Sequence, residues 1–230
     1  RPIVFLSGSP RFFKRVLEGK MQLDGIRNDG LVLKPFKDIV VDNIRDFDVH
    51  DIIDELHEQI GYKLYWLLRL RLEIPPTTGE ILMGDDSEAD VVVYNLYYRF
   101  TSGELDATTL SRELITLGVT QDWRELIEEI APRIEETLTQ APVAAIYINA
   151  TAAPGETFPV EDWSIDSVTR YHEGAWPLAL DLYEEGWISP EAAQATYERL
   201  TALGQSEESL AQRAASAGFL DPDTAGMFGQ

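Results

Sequence analysis

The chain has 230 residues and a mass of 25.9 kDa, with 44% hydrophobic, 10% aromatic and 26% charged residues. This is the composition of a packed domain and excludes a disordered tail, a collagen or a coiled-coil rod. Nineteen Lys and Arg against 40 Asp and Glu give a formal charge of −21, a field that repels polyphosphates and disfavours a general nucleic-acid or membrane-surface binder.

Cysteine is absent, which excludes disulfides, thiolate metal sites and a catalytic thiol and fits an expected cytoplasmic location. No apolar run approaches the roughly 20 residues that span a bilayer, so no transmembrane segment is expected. Arg1-Pro2 runs straight into an apolar stretch without a Met, and we expect a segment upstream of residue 1. Charge divides unevenly along the chain: residues 1–100 carry 13 basic and 17 acidic side chains, residues 101–230 carry 6 and 23. An anionic ligand is expected in residues 1–45, which hold nine basic and five acidic groups.

In chain order, short runs rich in branched apolar residues at Ile3 to Leu6, Leu31 to Leu33, Glu80 to Met83 and Val143 to Ile148 read as buried strands. Helical periodicity occupies Phe12 to Met21, Val49 to Gln59, Lys63 to Ile74 up to Pro75-Pro76, Ala89 to Phe100, and Asp122 to Leu138. This alternation predicts an α/β domain over 1–150, with a parallel sheet and crossover helices. Beyond Ile148 the strand signals end. A loop over Ala150 to Pro159 leads to helices around Ser167 to Glu185, at Pro190 to Leu203 behind the cap pair Ser189-Pro190, and after Ser206 as far as Gly218. Residues 151–230 are therefore expected to form an all-helical extension.

In a parallel α/β sheet, ligands sit beyond the carboxyl ends of the strands. The first run ends in Ser7-Gly8-Ser9-Pro10, where a hydroxyl and backbone amides ahead of a helix could hold a phosphate oxygen; a serine-capped turn accounts for the same residues. The third run ends in Gly84-Asp85-Asp86-Ser87-Glu88-Ala89-Asp90. Carboxylates this crowded raise one another's pKa unless a cation compensates them, and Mg²⁺ takes one or two carboxylates with water and phosphate oxygens. Against this stands a solvated loop that caps the next helix. Lys63 is read as opening a helix, where the dipole disfavours a cation. It could neutralise a carboxylate and a phosphoryl group at the same strand tips, or pair with Glu58 or Asp54 on the surface.

The combination of Phe5-Leu6-Ser7-Gly8-Ser9-Pro10, a lysine at a helix start and Gly84-Asp85-Asp86-Ser87-Glu88-Ala89-Asp90-Val91-Val92-Val93-Tyr94 resembles the haloacid dehalogenase superfamily. Within it, the chain is similar to the catalytic domain of the actin-patch-associated phosphatidate phosphatases. The resemblance covers residues 1–100 and the strand at 143–148, with a helical insertion at about 101–140. It implies a Rossmann-like parallel sheet and a Mg²⁺-dependent phosphomonoester hydrolase, with a phosphorylated small molecule or phospholipid as substrate. Ser7 then stands as the phosphoryl-binding hydroxyl with Gly8 and Ser9 beside it, Lys63 as the charge-neutralising lysine, and Asp85 and Asp90 as the Mg²⁺ acids. Asp86 stands where the family has serine.

The superfamily's nucleophile, the first aspartate of an Asp-x-Asp-x-Thr motif, has no match. By resemblance it belongs to the first, central strand, upstream of residue 1, so the sheet is expected to have a gap between its first and third strands. Asp46-Phe47-Asp48 copies the spacing but follows Asp42-Asn43-Ile44-Arg45, which is not a buried strand. The intact protein would act through an aspartyl-phosphate, and this chain alone would be inactive. Two alternatives stay open: a catalytically inactive scaffold or binding module, and a phosphatase of another subfamily. The three histidines, His50, His57 and His172, lack a zinc-helix spacing and read as surface or core residues.

Overall fold

The computed structural model describes residues 2–34, 49–151, 163, 165 and 167–219. The Asp46-Phe47-Asp48 triplet and most of the expected loop from Ala150 to Pro159 lie outside them. The fold is mixed α/β. Its strands β1 (Val4–Pro10), β2 (Gly30–Lys34), β3 (Glu80–Asp85), β4 (Val143–Asn149) and β5 (Thr169–His172) form two sheets, ordered β1-β2 and β3-β4-β5. Its helices are α1 (Lys14–Leu23), α2 (Val49–Glu73), α3 (Asp90–Thr101), α4 (Ala107–Thr116), α5 (Gln121–Thr137), α6 (Ala175–Glu184), α7 (Pro190–Ala202) and α8 (Glu207–Ser216). The chain divides into two compact units, Arg1–Glu80 with Ala89–Ala144, and Ile81–Glu88 with Ala145–Gln230.

In the first unit β1 and β2 run parallel with Val4 opposite Gly30 and Ser7 opposite Leu33, and the register breaks between Ser7 and Pro10. The core is mostly helical. α2 packs on α5, α3 and β1, burying Ile60, Leu64 and Leu68 with Val92, Leu96 and Phe100 of α3 and Ile127 and Ile134 of α5.

Gly61 sets the approach of α2 to α5. A Cβ there would stand 2.6 Å from Trp123 Cβ and 2.7 Å from Val119 Cγ1, so only glycine lets the backbone come this close. The two expected helices Val49 to Gln59 and Lys63 to Ile74 are thus one helix, with the glycine serving packing in place of a break. Lys63 lies in the interior of α2 and does not open a helix.

The carboxyl end of α2 is tied down by Arg71, 4% exposed. Its guanidinium donates to the Pro75 and Thr78 carbonyls, the latter at 3.0 Å, and to Glu80 Oε1 at 2.6 Å. Glu80 Oε2 accepts from the Tyr97 hydroxyl at 2.6 Å. Burial, reinforced by Glu80, holds the Tyr97 phenol well above its usual pKa. This network holds the Pro75 and Thr78 carbonyls of the turn that follows α2 and joins α2, the amino end of β3 and α3.

The second unit corrects the expectation of an all-helical extension. β5 pairs parallel to β4, with Ile146 opposite Thr169 and Asn149 opposite His172. A four-residue strand carries too few alternations to separate from a helix turn. Trp176, Leu180, Ala193, Leu210 and Ala214 of α6, α7 and α8 form a separate core. Ser189 and Ser206 cap α7 and α8 by accepting from Ala192 N–H at 3.3 Å and Ser209 N–H at 3.2 Å. Gly174, at φ +94, starts α6 and donates its N–H to Asn149 Oδ1 at 3.0 Å. A side chain at that φ is strained, and its Cβ would meet Arg213 Nη1 at 2.9 Å.

In urea titrations, Gly61→Ala should lower unfolding free energy by ~1–3 kcal/mol through overpacking. Gly19→Ala, inside α1 with nothing within 4 Å of the added carbon, should raise it by ~0.5–1 kcal/mol through helix propensity.

Candidate functional site

β1 runs through the expected turn. Gly8 and Ser9 belong to the strand at its register break, and a 3-10 turn, Arg11–Phe13, precedes α1. Ser7 Oγ accepts from Ser9 N–H at 3.1 Å, so the hydroxyl closes a local loop and one of the two amides expected to be free is already used. The correction follows from the parallel partner, because β2 holds the backbone extended as far as Pro10.

α2 passes beside this strand end. A Cβ on Gly8 would touch the Gln59 carboxamide at 3.5 Å. Gln59 Oε1 and the hydroxyl of Tyr62, which is fully buried, have no hydrogen-bond partner. Burial raises the Tyr62 phenol pKa, with the Arg11 charge opposing. Sequence patterning had no signal for either residue, since Gln59 and Tyr62 read simply as helix positions.

Lys63 is 3% exposed, and its Nζ donates to Asp90 Oδ1 at 2.5 Å; Asp90 is 8% exposed. Of the expected surface partners, Glu58 pairs with Lys34 at 3.2 Å, and the Asp54 side chain lies outside the described residues. Asp90 occupies the first turn of α3, where the helix dipole favours a carboxylate. The structure therefore joins two of the expected site residues, Lys63 and Asp90, in one buried ion pair.

In the second unit Asp85 ends β3, and its Oδ1 accepts from Ser87 N–H at 2.9 Å and Ser87 Oγ at 2.6 Å. Asp86 is 7% exposed. Its Oδ1 accepts from Thr151 N–H at 2.8 Å and Thr151 Oγ1 at 3.3 Å, while its own N–H donates to the Asn149 carbonyl at 3.3 Å. Asp86 thus clasps the end of β4. Three of the four crowded carboxylates have different partners: Ser87 for Asp85, Thr151 for Asp86 and Lys63 for Asp90.

Mg²⁺ takes hard oxygen donors, and Asp85, a carboxylate at a strand tip, is of that donor type. Among the described residues no group of three His, Cys, Asp or Glu side chains could hold a metal. A Mg²⁺ ion here would draw on Asp85, water and substrate oxygens, while Asp90 Oδ1 is engaged by Lys63.

A separate buried cluster stands at β5. His172, 6% exposed, lies with its Nε2 3.1 Å from Asp181 Oδ2, off the hydrogen-bond direction. Its ring stacks on Tyr147 at 5.7 Å. Asp181 also pairs with Arg170, which reaches Glu185 at 2.7 Å. Burial lowers the His172 pKa below its ordinary 6.5, with the Arg170 charge adding and Asp181 opposing. The folded protein thus holds a neutral imidazole.

Comparison with family models, curated proteins and solved structures returns no match. No helix among the described residues is long and apolar enough to cross a membrane.

Lys63→Met takes the ammonium away from a buried carboxylate and should cost ~3–5 kcal/mol in urea unfolding. The double variant Lys63→Met/Asp90→Asn should cost less than the sum of the two single variants, since the pair is coupled. A neutral buried imidazole makes the unfolded chain the stronger proton binder below pH 6.5. Stability should therefore be full above that pH and fall as pH drops through the folded pKa. His172→Phe should remove this component of the stability profile measured between pH 7.5 and 5.

Proposed function

We propose that this chain is the supporting shell of a Mg²⁺-dependent phosphomonoester hydrolase of the haloacid dehalogenase type, similar to phosphatidate phosphatases. The observation that carries the reading is the buried Lys63–Asp90 pair at 2.5 Å, which follows on from the acidic strand end of β3. A buried ammonium is costly unless paired, and here it is fixed by a carboxylate whose own position is set by a helix start. Such a preorganised cation stabilises charge growing on a transferred phosphoryl group without reorganising.

Among the described residues β1-β2 and β3-β4-β5 are separate sheets, and the reading places one further strand between β1 and β3. That strand, upstream of residue 1, would carry the aspartate nucleophile.

In this mechanism the upstream carboxylate attacks phosphorus, and the leaving oxygen takes a proton from the second aspartate of the upstream motif and departs as the alcohol. Water then gives a proton back to that aspartate as it attacks the acyl phosphate, releasing inorganic phosphate and regenerating the carboxylate. Ser7 Oγ donates to a phosphoryl oxygen, exchanging its local role as acceptor from Ser9 N–H for one in which it binds substrate as well. Lys63 offsets the negative charge, and Asp90 positions the ammonium. Mg²⁺, when bound at Asp85, supplies polarisation of the phosphoryl oxygens.

The test is phosphate release from phosphomonoesters by the protein carrying its upstream segment. Activity should require Mg²⁺, and Asp85→Asn and Lys63→Ala should each lower kcat/KM by ~10²-fold or more. Ser7→Ala should lower it too, without the folding cost of removing a buried charge. Mg²⁺-independent turnover, or unchanged kcat/KM in Asp85→Asn and Ser7→Ala, would contradict the reading.

A further inference from the structure

We propose that the outward face of α1, together with the 3-10 turn before it, docks on an anionic lipid bilayer. α1 buries none of its residues. Phe12, Val16 and Leu23 are 62%, 65% and 86% exposed, and Phe13 is 43% exposed. At about 100° per residue, Val16 and Leu23 of α1 fall within about 20° of each other on one side of the helix, and Phe12 and Phe13 lie in the 3-10 turn before it. Leu17 and Met21, on the opposite side, are its half-buried apolar side chains. The helix is therefore apolar towards solvent as well as towards the protein, unlike an ordinary surface helix.

The charges around this face select the occupant. Arg15 and Lys20 flank the stripe on either side and Arg11 precedes it. Lys14 and Lys20 are paired to Glu18 and Asp24, whereas Arg11 and Arg15 form no ion pair among the described residues. Residues 2–34 hold six basic and three acidic groups within a chain of net charge −21, so the exposed apolar stripe lies in a stretch with a local surplus of positive charge. Exposed aromatic and branched side chains rimmed by arginine are the make-up of a helix lying in a headgroup region. A second copy is a poorer occupant, because a symmetric contact would set Arg11 and Arg15 against their own kind within two chains of −21 each. The attachment is peripheral, since no described helix is long and apolar enough to span a bilayer.

Pro10 directly precedes the 3-10 turn, so docking by this face brings the Ser7–Pro10 strand end to the headgroup level. The docking itself stands apart from the phosphatase reading, because binding is measured without turnover and the two fail separately.

The experiment is co-sedimentation of the full chain with vesicles of phosphatidylcholine containing about 30% phosphatidylserine, and with phosphatidylcholine vesicles alone. The chain should pellet with the anionic vesicles and stay in solution with the neutral ones. Val16→Asp/Leu23→Asp and Arg11→Glu/Arg15→Glu should each lower the bound fraction ~tenfold, with far-UV circular dichroism unchanged. Ile115→Asp, at a site 55% exposed on α4, should leave binding intact. Three outcomes would overturn the proposal: no binding to anionic vesicles, equal binding to neutral ones, or undiminished binding of the α1 variants. Light scattering that shows a dimer split by Val16→Asp would also overturn it, assigning the face to a second copy.

Discussion

The arrangement of the first unit is constrained by the buried Lys63–Asp90 ion pair. Two opposite charges taken out of water cost several kcal/mol each unless their geometry is met, so α2 and α3 can shift little against each other without breaking it. Asp90 contributes twice, neutralising the lysine and placing negative charge at the positive end of α3. One helical stretch further on, Arg71 joins α2 to Glu80, and Tyr97 of α3 bonds the same carboxylate. α2 is thereby fixed by a buried cation at two points along its length, Lys63 on Asp90 and Arg71 on Glu80. Gly61 completes the arrangement by letting α5 close on the opposite side.

Much of this was legible in the amino-acid sequence, for identifiable reasons. The four apolar runs became β1 to β4 because branched residues bounded by Gly, Pro or polar groups leave few other solutions. Ser189-Pro190 marked the start of α7 because cap chemistry is local. Four features depended on tertiary context. Gly61 carries no local mark that separates a close helix contact from a helix break. β5 is four residues long and is defined by β4, over 20 positions away. Ser7 to Pro10 is strand because β2 extends it. The outward apolar stripe of α1 has the same period as an inward one, and only burial tells them apart.

The candidate site was legible in part. Lys63, Asp85 and Asp90 stand out as charged groups near apolar runs, and the pairing of Lys63 with Asp90 follows from their burial. The partner of Lys63 could not be read locally, because Glu58 and Asp54 sit closer in sequence and only the fold sends Glu58 to Lys34. Asp86 changed meaning most: a departure from the family pattern proves to be the acceptor that holds Thr151. The net charge also needed structure to interpret. A total of −21 argues against polyanionic surfaces on average, but electrostatic attraction at contact range is set by the nearest groups within about 8 Å, and along residues 11–24 basic groups outnumber acidic ones.

The central claim is that a buried lysine, held by Asp90, faces a phosphoryl group in a sheet completed by a strand from outside this chain. A crystal structure of the protein with its upstream segment, bound to Mg²⁺ and orthovanadate, tests it most directly. The account predicts a parallel strand between β1 and β3 that presents a carboxylate to vanadium, with Ser7 Oγ and Lys63 Nζ within hydrogen-bond distance of vanadate oxygens. Direct pairing of β1 with β3, or vanadate bound away from Lys63 and Ser7, would contradict it.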